Sequence, residues 1–324
     1  MRLGVSLSVL AVLAAVATPA QAQQYPSRAV TVVVPFAAGG GSDLLARLVT
    51  QKLEARLGKP FIVENRPGAG TTLAAMQVVR ATPDGYTLMQ GTSSTMAINV
   101  TMNKKLPYEP LKDLVPIALL SSSPFFLVVA ADSPLKSVAD VIAAAKAKPN
   151  GLNYGSGGPG SMHHLSTELL QNLTGTQMTH VPYKATPPAM NDLIAGHIQI
   201  LFGDTTSTLP MIQQGKVRGI AVTTVKRSLA APDIPAVAET VPGFESASWQ
   251  MLLAPGGTPP EVIALLNREV HVIFSDPAVI AELTRRGVGP ALTGRPEEVT
   301  EFVKKEIVRW GDVVRRAGLE GSSE

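Results

Sequence analysis

The stretch Thr31-Val32-Val33-Val34-Pro35-Phe36-Ala37-Ala38-Gly39-Gly40-Gly41-Ser42-Asp43 decides the fold class, because a β-branched run breaks into three glycines that open onto a helical pattern. Such a loop reads as an anion cradle: glycines let backbone N–H groups converge, and the helix start adds unpaired donors and the positive end of its dipole. The plainer reading is a tight strand-to-helix turn. Outward from this stretch the same alternation recurs with short Gly, Pro and Asn punctuation, the pattern of α/β layering with mostly parallel strands.

Before it, Arg2 precedes an apolar run from Leu3 to Ala17 and then Thr18-Pro19-Ala20-Gln21-Ala22. The run is shorter than the roughly 20 residues of a membrane span, and Ala20 and Ala22 suit a signal peptidase, so residues 1–22 read as a signal peptide cleaved after Ala22. An exported, non-spanning mature protein is expected. The chain has no cysteine, which excludes disulfides, thiolate metal sites and cysteine nucleophiles. Its composition, 45% hydrophobic and 16% charged, is that of a globular protein, and the net charge of +3 is too dispersed to form a nucleic-acid stripe. Two domains fit the length.

After the glycine loop the periodicity predicts a helix from Asp43 to Leu57 and a strand from Phe61 to Glu64. Next come a helix from Gly70 to Ala81 and a strand from Tyr86 to Gly91 that ends in the hydroxyl cluster Thr92-Ser93-Ser94-Thr95. Two apolar segments, Val115–Leu120 and Phe125–Ala130, are joined by Ser121-Ser122-Ser123-Pro124 and predict the crossing to a second lobe. A strand over Val217–Thr224 predicts the return. Between them lies another glycine loop, Gly155-Ser156-Gly157-Gly158-Pro159-Gly160-Ser161. Gly155, Gly157 and Gly160 match the spacing of a dinucleotide fingerprint, yet the next strand runs into Pro182-Tyr183-Lys184 with no acid for a ribose, so only anion binding survives. No cofactor is expected.

Catalytic constellations are absent from the sequence patterns. His163 and His164 are adjacent, so on a helix they point about 100° apart and suit one metal poorly. His164 and Glu168 have i, i+4 spacing, which favours an ion pair or cap over a metal. His180, His197 and His271 are isolated. Asp204 stands at a strand end beside Thr205-Thr206-Ser207, where it either caps the following helix or accepts from an ammonium or hydroxyl on a solute. Trp249, on a predicted strand over Ser248–Ala254, is expected near the cleft as a fluorescence reporter.

Several motifs together carry a resemblance. They are Tyr25-Pro26-Ser27-Arg28, the Pro35–Asp43 loop, Val63-Glu64-Asn65-Arg66-Pro67-Gly68-Ala69-Gly70, Pro83-Asp84-Gly85-Tyr86, Asn153-Tyr154-Gly155-Ser156, His180-Val181-Pro182-Tyr183-Lys184, Gly215-Lys216-Val217-Arg218 and Leu253-Ala254-Pro255. The chain resembles the Bug or TctC-type solute receptors of tripartite tricarboxylate transporters over nearly its whole mature length. That resemblance implies a type II periplasmic binding protein fold: two α/β lobes, 23–122 plus 223–324 and 123–222, joined by two crossings with a ligand cleft between them. It implies a first grip on a carboxylate by Phe36, Ala37, Gly39, Gly40 and Ser42, helped by Ser93 and Ser94. Ser156, Gly157, Gly160, Ser161, Tyr183 and Asp204 form the opposing grip. It also implies a periplasmic monomer that hands its solute to integral membrane permease subunits.

The chain departs from the family pattern at Ala185-Thr186-Pro187-Pro188, where a glycine is usual, and at Phe202-Gly203-Asp204 in place of Phe-Asp-Asn. Both departures touch the second-lobe side of the pocket. A periplasmic sensor feeding a two-component system would share these sequence features, and an exported hydrolase built on Ser161 and His164 is a more distant alternative.

Overall fold

The computed structural model describes residues 25–39, 41–183, 186–285, 288 and 294–323, so the signal segment and Gly40 lie outside the described residues. In chain order the elements are β1 (Val30–Val34), α1 (Gly41–Leu57), β2 (Phe61–Asn65), α2 (Thr72–Val79), β3 (Thr87–Thr92), α3 (Asn99–Met102), β4 (Leu114–Ala130), α4 (Val138–Ala147), β5 (Asn153–Ser156), α5 (Met162–Thr174), β6 (Thr179–Pro182), α6 (Thr186–Ile194), β7 (Ile200–Asp204), α7 (Thr205–Gln213), β8 (Val217–Val222), β9 (Ala247–Pro255), α8 (Pro260–Phe274), α9 (Pro277–Arg285) and α10 (Pro296–Arg316). A π-helical turn over Ser94–Ile98 leads into α3 and had no expectation from periodicity.

The elements form where local chemistry favours them. The β-branched run Val30–Val34 is almost wholly buried and pairs in parallel with β2 and β3. Gly58 ends α1 at φ +70° while its N–H closes the last turn on Glu54 O at 2.8 Å. Ser137 caps α4 by accepting from Asp140 N at 3.1 Å. In α10 acids occupy the first turn and arginines the last, opposing the helix dipole, and Val299, Val303, Trp310, Val313 and Val314 form its buried stripe.

The strands form one mixed sheet in the order β2-β1-β3-β9-β4-β7-β5-β6, with β8 also on β4. Its organising element is β4. The sequence predicts two apolar segments separated by Ser121–Pro124; the chain instead runs as one strand of 17 residues. The reason is nonlocal: Ser121, Ser122, Ser123 and Pro124 pair with Gln250, Trp249, Ser248 and Ala247 of β9, so the polar break has ladder partners. Leu114–Pro124 follows β9, whereas Phe125–Val128 pairs with β7 and Phe126–Ala130 with β8. The strand therefore crosses from one half of the sheet to the other. The chain returns between β8 and β9, where Thr223 Oγ1 accepts from Phe125 N at 2.8 Å and Ser246 N donates to Thr223 O at 2.9 Å.

Each half has its own apolar cluster: Leu45, Leu53, Leu88 and Leu266 in the first, and Phe126, Met190, Leu193 and Leu201 in the second. A third cluster spans both, carrying Met89 and Met96 with Tyr154, Leu165, Trp249 and Trp310. Helix α10 lies on this shared core against α3, β4 and α5. Trp249 is on the expected strand but is 1% exposed, donates to Glu306 Oε2 at 2.8 Å and packs on Phe302, so it belongs to this core and not to a cleft wall.

Candidate functional site

The carboxyl ends of the parallel strands of both halves meet head-on over the middle of β4. In the first half Thr92, the last residue of β3, pairs with Gln250, which pairs in turn with Ser121. In the second half Asp204, the last residue of β7, pairs with Phe125. The two strand ends are thus separated by the rise of four residues of β4, about 13 Å. Loops that leave β1, β3, β5 and β7 at these ends face one another, and in open α/β sheets this is where ligands bind.

On the first side, Phe36 is 39% exposed and Ala37 is exposed at the end of β1. Gly39 adopts φ +84°, a backbone that a residue with a Cβ rarely takes, and its N–H donates to Asp43 Oδ2 at 2.9 Å. Asp43 also accepts from Arg47 Nε at 2.9 Å and Asn65 Nδ2 at 3.0 Å, while the same Asn65 amide reaches Phe36 O at 2.9 Å. A carboxylate buried to 2% exposure therefore shapes the loop from inside, and the Gly39 donor is already engaged. The Arg47 hydrogen bond, followed by those of Gly39 and Asn65, outweighs burial and holds the Asp43 carboxyl down at about 2.

The remaining residues of this side sit at the sheet end. Ser42 is half-buried and its carbonyl accepts from Gln90 Nε2 at 2.8 Å. Ser93 is buried and Ser94 half-buried at the start of the π-helical turn. Gln90 Nε2 also donates to Gln250 Oε1 at 2.5 Å, whereas Gln90 Oε1 and Ser121 Oγ are buried with no partner among the described residues.

On the second side the loop after β5 is tightly knit. Ser156 is fully buried, and its Oγ lies 2.6 Å from His180 Nε2 and accepts from Gly158 N at 3.0 Å. Gly160 takes φ +72° against Met102 of α3, where a Cβ would collide with the thioether. Ser161 caps α5, and its hydroxyl donates to Gly158 O at 2.7 Å. Gly157 lies over the His163 ring, leaving 3.2 Å between a Cβ and Nδ1. Tyr183 N donates to Ser156 O at 3.0 Å and its hydroxyl donates to Asp192 Oδ2 at 2.6 Å, so the phenol is directed to α6. Burial, then Asp192, pushes that phenol up to about 12.

Of the two roles open to Asp204, the cap is realised. Its carboxylate accepts from Ser207 N at 3.0 Å and Ser207 Oγ at 2.7 Å at the start of α7. It retains 39% side-chain exposure and lies 4.0 Å from His163 Nε2, which is 3.1 Å from Thr186 Oγ1. Burial lowers the pKa of His163, keeping the ring neutral. The adjacent histidines diverge as their spacing requires: His163 packs edge-on against Phe125, and His164 stacks with Tyr154 and His180.

The two sides touch at Gly160 with Met102 and at Gly41 with Thr206, whose Oγ1 would lie 4.0 Å from a Gly41 Cβ. A cavity of about 310 Å³ at the second contact is lined by Gly41, Leu44, Leu45, Leu48, Thr206, Leu283 and Val288. A larger one, about 520 Å³, lies on the outer flank between α1, β2 and α9. Neither is lined by the predicted grip residues, which sit at the strand ends. Residue patterns missed Gln90, Gln250, His163, Thr186 and Thr206. They also passed over Asp43 and Asn65 as hubs, although both stood inside the motifs already quoted.

Residues 45–319 match the family of the tripartite tricarboxylate transporter family receptor, TctC. The chain belongs to this receptor family. It is 34% identical to the protein BugT of Bordetella pertussis over 98% of both chains. Among solved structures of the family's kind, an R. palustris protein with adipate superposes at a TM-score of 0.79 with 37% identity, covering 91% of this chain and 98% of that one. MatC of Rhodopseudomonas palustris with bound malate gives 0.73 with 36% identity over 90% and 100%. The fold is therefore shared with both solved structures. No helix of the described residues is long and apolar enough to cross a membrane.

Proposed function

We propose that this protein is a periplasmic receptor that captures a small organic carboxylate between two lobes, 23–122 plus 223–324 and 123–222, and delivers it to an integral membrane permease. The observation that carries this reading is the head-on meeting of β3 and β7 at Ser121–Phe125, which brings the hydroxyl- and glycine-rich strand ends of both halves together. The adipate and malate bound to the two R. palustris proteins support a carboxylate as the solute class. Phe36, Ala37, Gly40 and Ser42, with Ser93 and Ser94, form the first grip, and Gly39 shapes it through Asp43. Ser156, Gly157, Gly160 and Ser161 form the second, with Asp204 as an acceptor for a hydroxyl elsewhere on the solute and Tyr183 locking the loop through its backbone.

A solute that touches both halves binds the closed arrangement better and shifts the population toward it, and no bond is made or broken. The protein acts as a monomeric binder and not as an enzyme. Thermal denaturation against a panel of mono-, di- and tricarboxylates, adipate and malate included, tests this. At a hundred times Kd one acid should add about 2.7 kcal/mol to the folded state. A panel without any shift, with no carboxylate released on denaturing the purified protein, overturns the receptor reading. Tryptophan emission is the weaker reporter, since Trp249 and Trp310 are both buried on Glu306.

A further inference from the structure

Three rings stack against the Ser156–Ser161 loop. Tyr154 lies 5.0 Å from His180 at an interplanar angle of 19°, and His180 lies 4.0 Å from His164 at 6°. Each histidine commits one ring nitrogen to the loop. Gly160 N donates to His164 Nδ1 at 3.1 Å, and His180 Nε2 meets Ser156 Oγ at 2.6 Å. An Nδ1 that accepts carries no proton, so neutral His164 holds its hydrogen on Nε2, which faces Glu168 Oε1 at 3.6 Å. That carboxylate oxygen already accepts from Tyr154 Oη at 2.6 Å and Gln171 Nε2 at 2.7 Å.

We propose that His164 and His180 are positioning residues for the solute, holding the second grip in shape from behind, and that a proton on His164 releases Gly160 and weakens carboxylate binding. This rests on the receptor reading of the Ser156–Ser161 loop given above.

Protonation places a hydrogen on His164 Nδ1 directly opposite the Gly160 N–H, and two donors cannot share that 3.1 Å line. Gly160 has little freedom to turn away, because its φ of +72° is already specialised and Met102 closes its other side. His180 responds differently. Once protonated, its Nε2 donates to Ser156 Oγ while the serine hydrogen is directed to Gly158 O at 3.3 Å, so that contact survives. The cation then sits face to face with His164.

The titratable groups facing His164 are His180 from β6, Tyr154 from β5 and Glu168 from its own helix. Elements β7 and α10 also pack on α5 and bring no ion pair to it among the described residues; Asp204, at the start of α7, faces His163 instead. Burial, reinforced by His180, holds His164 at about 4, burial lowers His180, and burial raises Glu168. The loop is therefore intact at neutral pH and loosens in acid.

The test follows the Gly160 amide and the His164 ring by NMR from pH 7.5 to 3.5 in the ligand-free protein. Calorimetric Kd values for malate and adipate are measured in parallel for wild type, His164→Asn and His164→Phe. Asparagine keeps an acceptor near Nδ1 and cannot titrate; phenylalanine removes it. The Gly160 amide should shift together with His164 in wild type and stay level in H164N. The wild-type to H164N ratio of Kd, which cancels protonation of the solute itself, should be near one at pH 7.5 and about two at pH 4, where half of His164 is protonated. H164F should bind tenfold or more weakly throughout, and if it does not fold the asparagine variant decides alone. A Gly160 amide that ignores His164, or equal losses of affinity in wild type and H164N, overturns the proposal. A titrating Gly160 with no binding of either acid at any pH upholds the loop linkage and counts against the receptor reading.

Discussion

Asp43 accepts the backbone N–H of Gly39 at 2.9 Å, so the loop that introduces α1 is shaped by a carboxylate from the helix's own first turn. Asp43→Ala leaves the Gly39 and Asn65 donors and the Arg47 charge without their partner, and should cost about 1–3 kcal/mol in chemical denaturation. The pH profile has a definite sign. The folded pKa of about 2 lies below the ordinary 3.8, so the contribution is fully present above pH 4 and is lost as the pH falls toward 2. With Arg47 half exposed, about 1–2 kcal/mol of stability should disappear over that window in wild type and not in Asp43→Asn.

Glu306 Oε2 collects Trp249 Nε1 at 2.8 Å, Trp310 Nε1 at 2.9 Å and Arg309 Nη2 at 2.9 Å beneath the crossing strands. Glu306→Ala should lower stability by about 3 kcal/mol, since it strips three buried or half-buried donors at once. Glu306→Gln keeps one acceptor oxygen and should lose less. Denaturant midpoints at constant m-value give the comparison.

Gly160 and Met102 join the two sides of the site across a contact that admits no Cβ. Gly160→Ala should reduce carboxylate affinity at least tenfold, and Met102→Ala in the same chain should restore part of it, because the collision is relieved while the strain at φ +72° remains. Full additivity of the two substitutions in calorimetry would show that the contact does not limit approach of the halves.

Tyr183 spends its hydroxyl on Asp192, not on the strand-end space. Tyr183→Phe should therefore change carboxylate affinity less than threefold while removing about 1 kcal/mol of stability. Matched calorimetry and thermal denaturation separate the two effects.

Much of the architecture was legible because it is local. The predicted helix over Asp43–Leu57 is α1 but for two further residues at its start, and the predicted strand over Phe61–Glu64 is β2 but for one further residue at its end. Gly58 and Ser137 signal a helix end and a start by chemistry confined to one turn. Where the decisive partner is remote, the pattern misled. Ser121–Pro124 reads as a break, and only β9, more than a hundred residues later, supplies the ladder that makes β4 continuous. Trp249 follows a polar run and reads as a cleft residue, yet Glu306 and Phe302 of α10 draw it into the shared core.

The candidate site divides in the same way. Glycine loops and hydroxyl clusters announce themselves in sequence because a positive φ or an unpaired strand end calls for those residue types whatever surrounds them. Which donors remain free does not, since that depends on partners brought from other elements: Asp43 engages Gly39, Asp192 takes the Tyr183 hydroxyl, and Ser207 draws Asp204 into a cap. The stack of Tyr154, His180 and His164 exists only because parallel pairing of β5 with β6 sets Tyr154 beside His180 and α5 returns across them. Local residue chemistry was enough to specify α/β layering with glycine-lined strand ends, and the receptor family was legible only through the resemblance that the motifs carry together. The closing of nonlocal hydrogen bonds, which no short-range pattern encodes, settled how those ends are aimed and which groups stand ready to meet a solute.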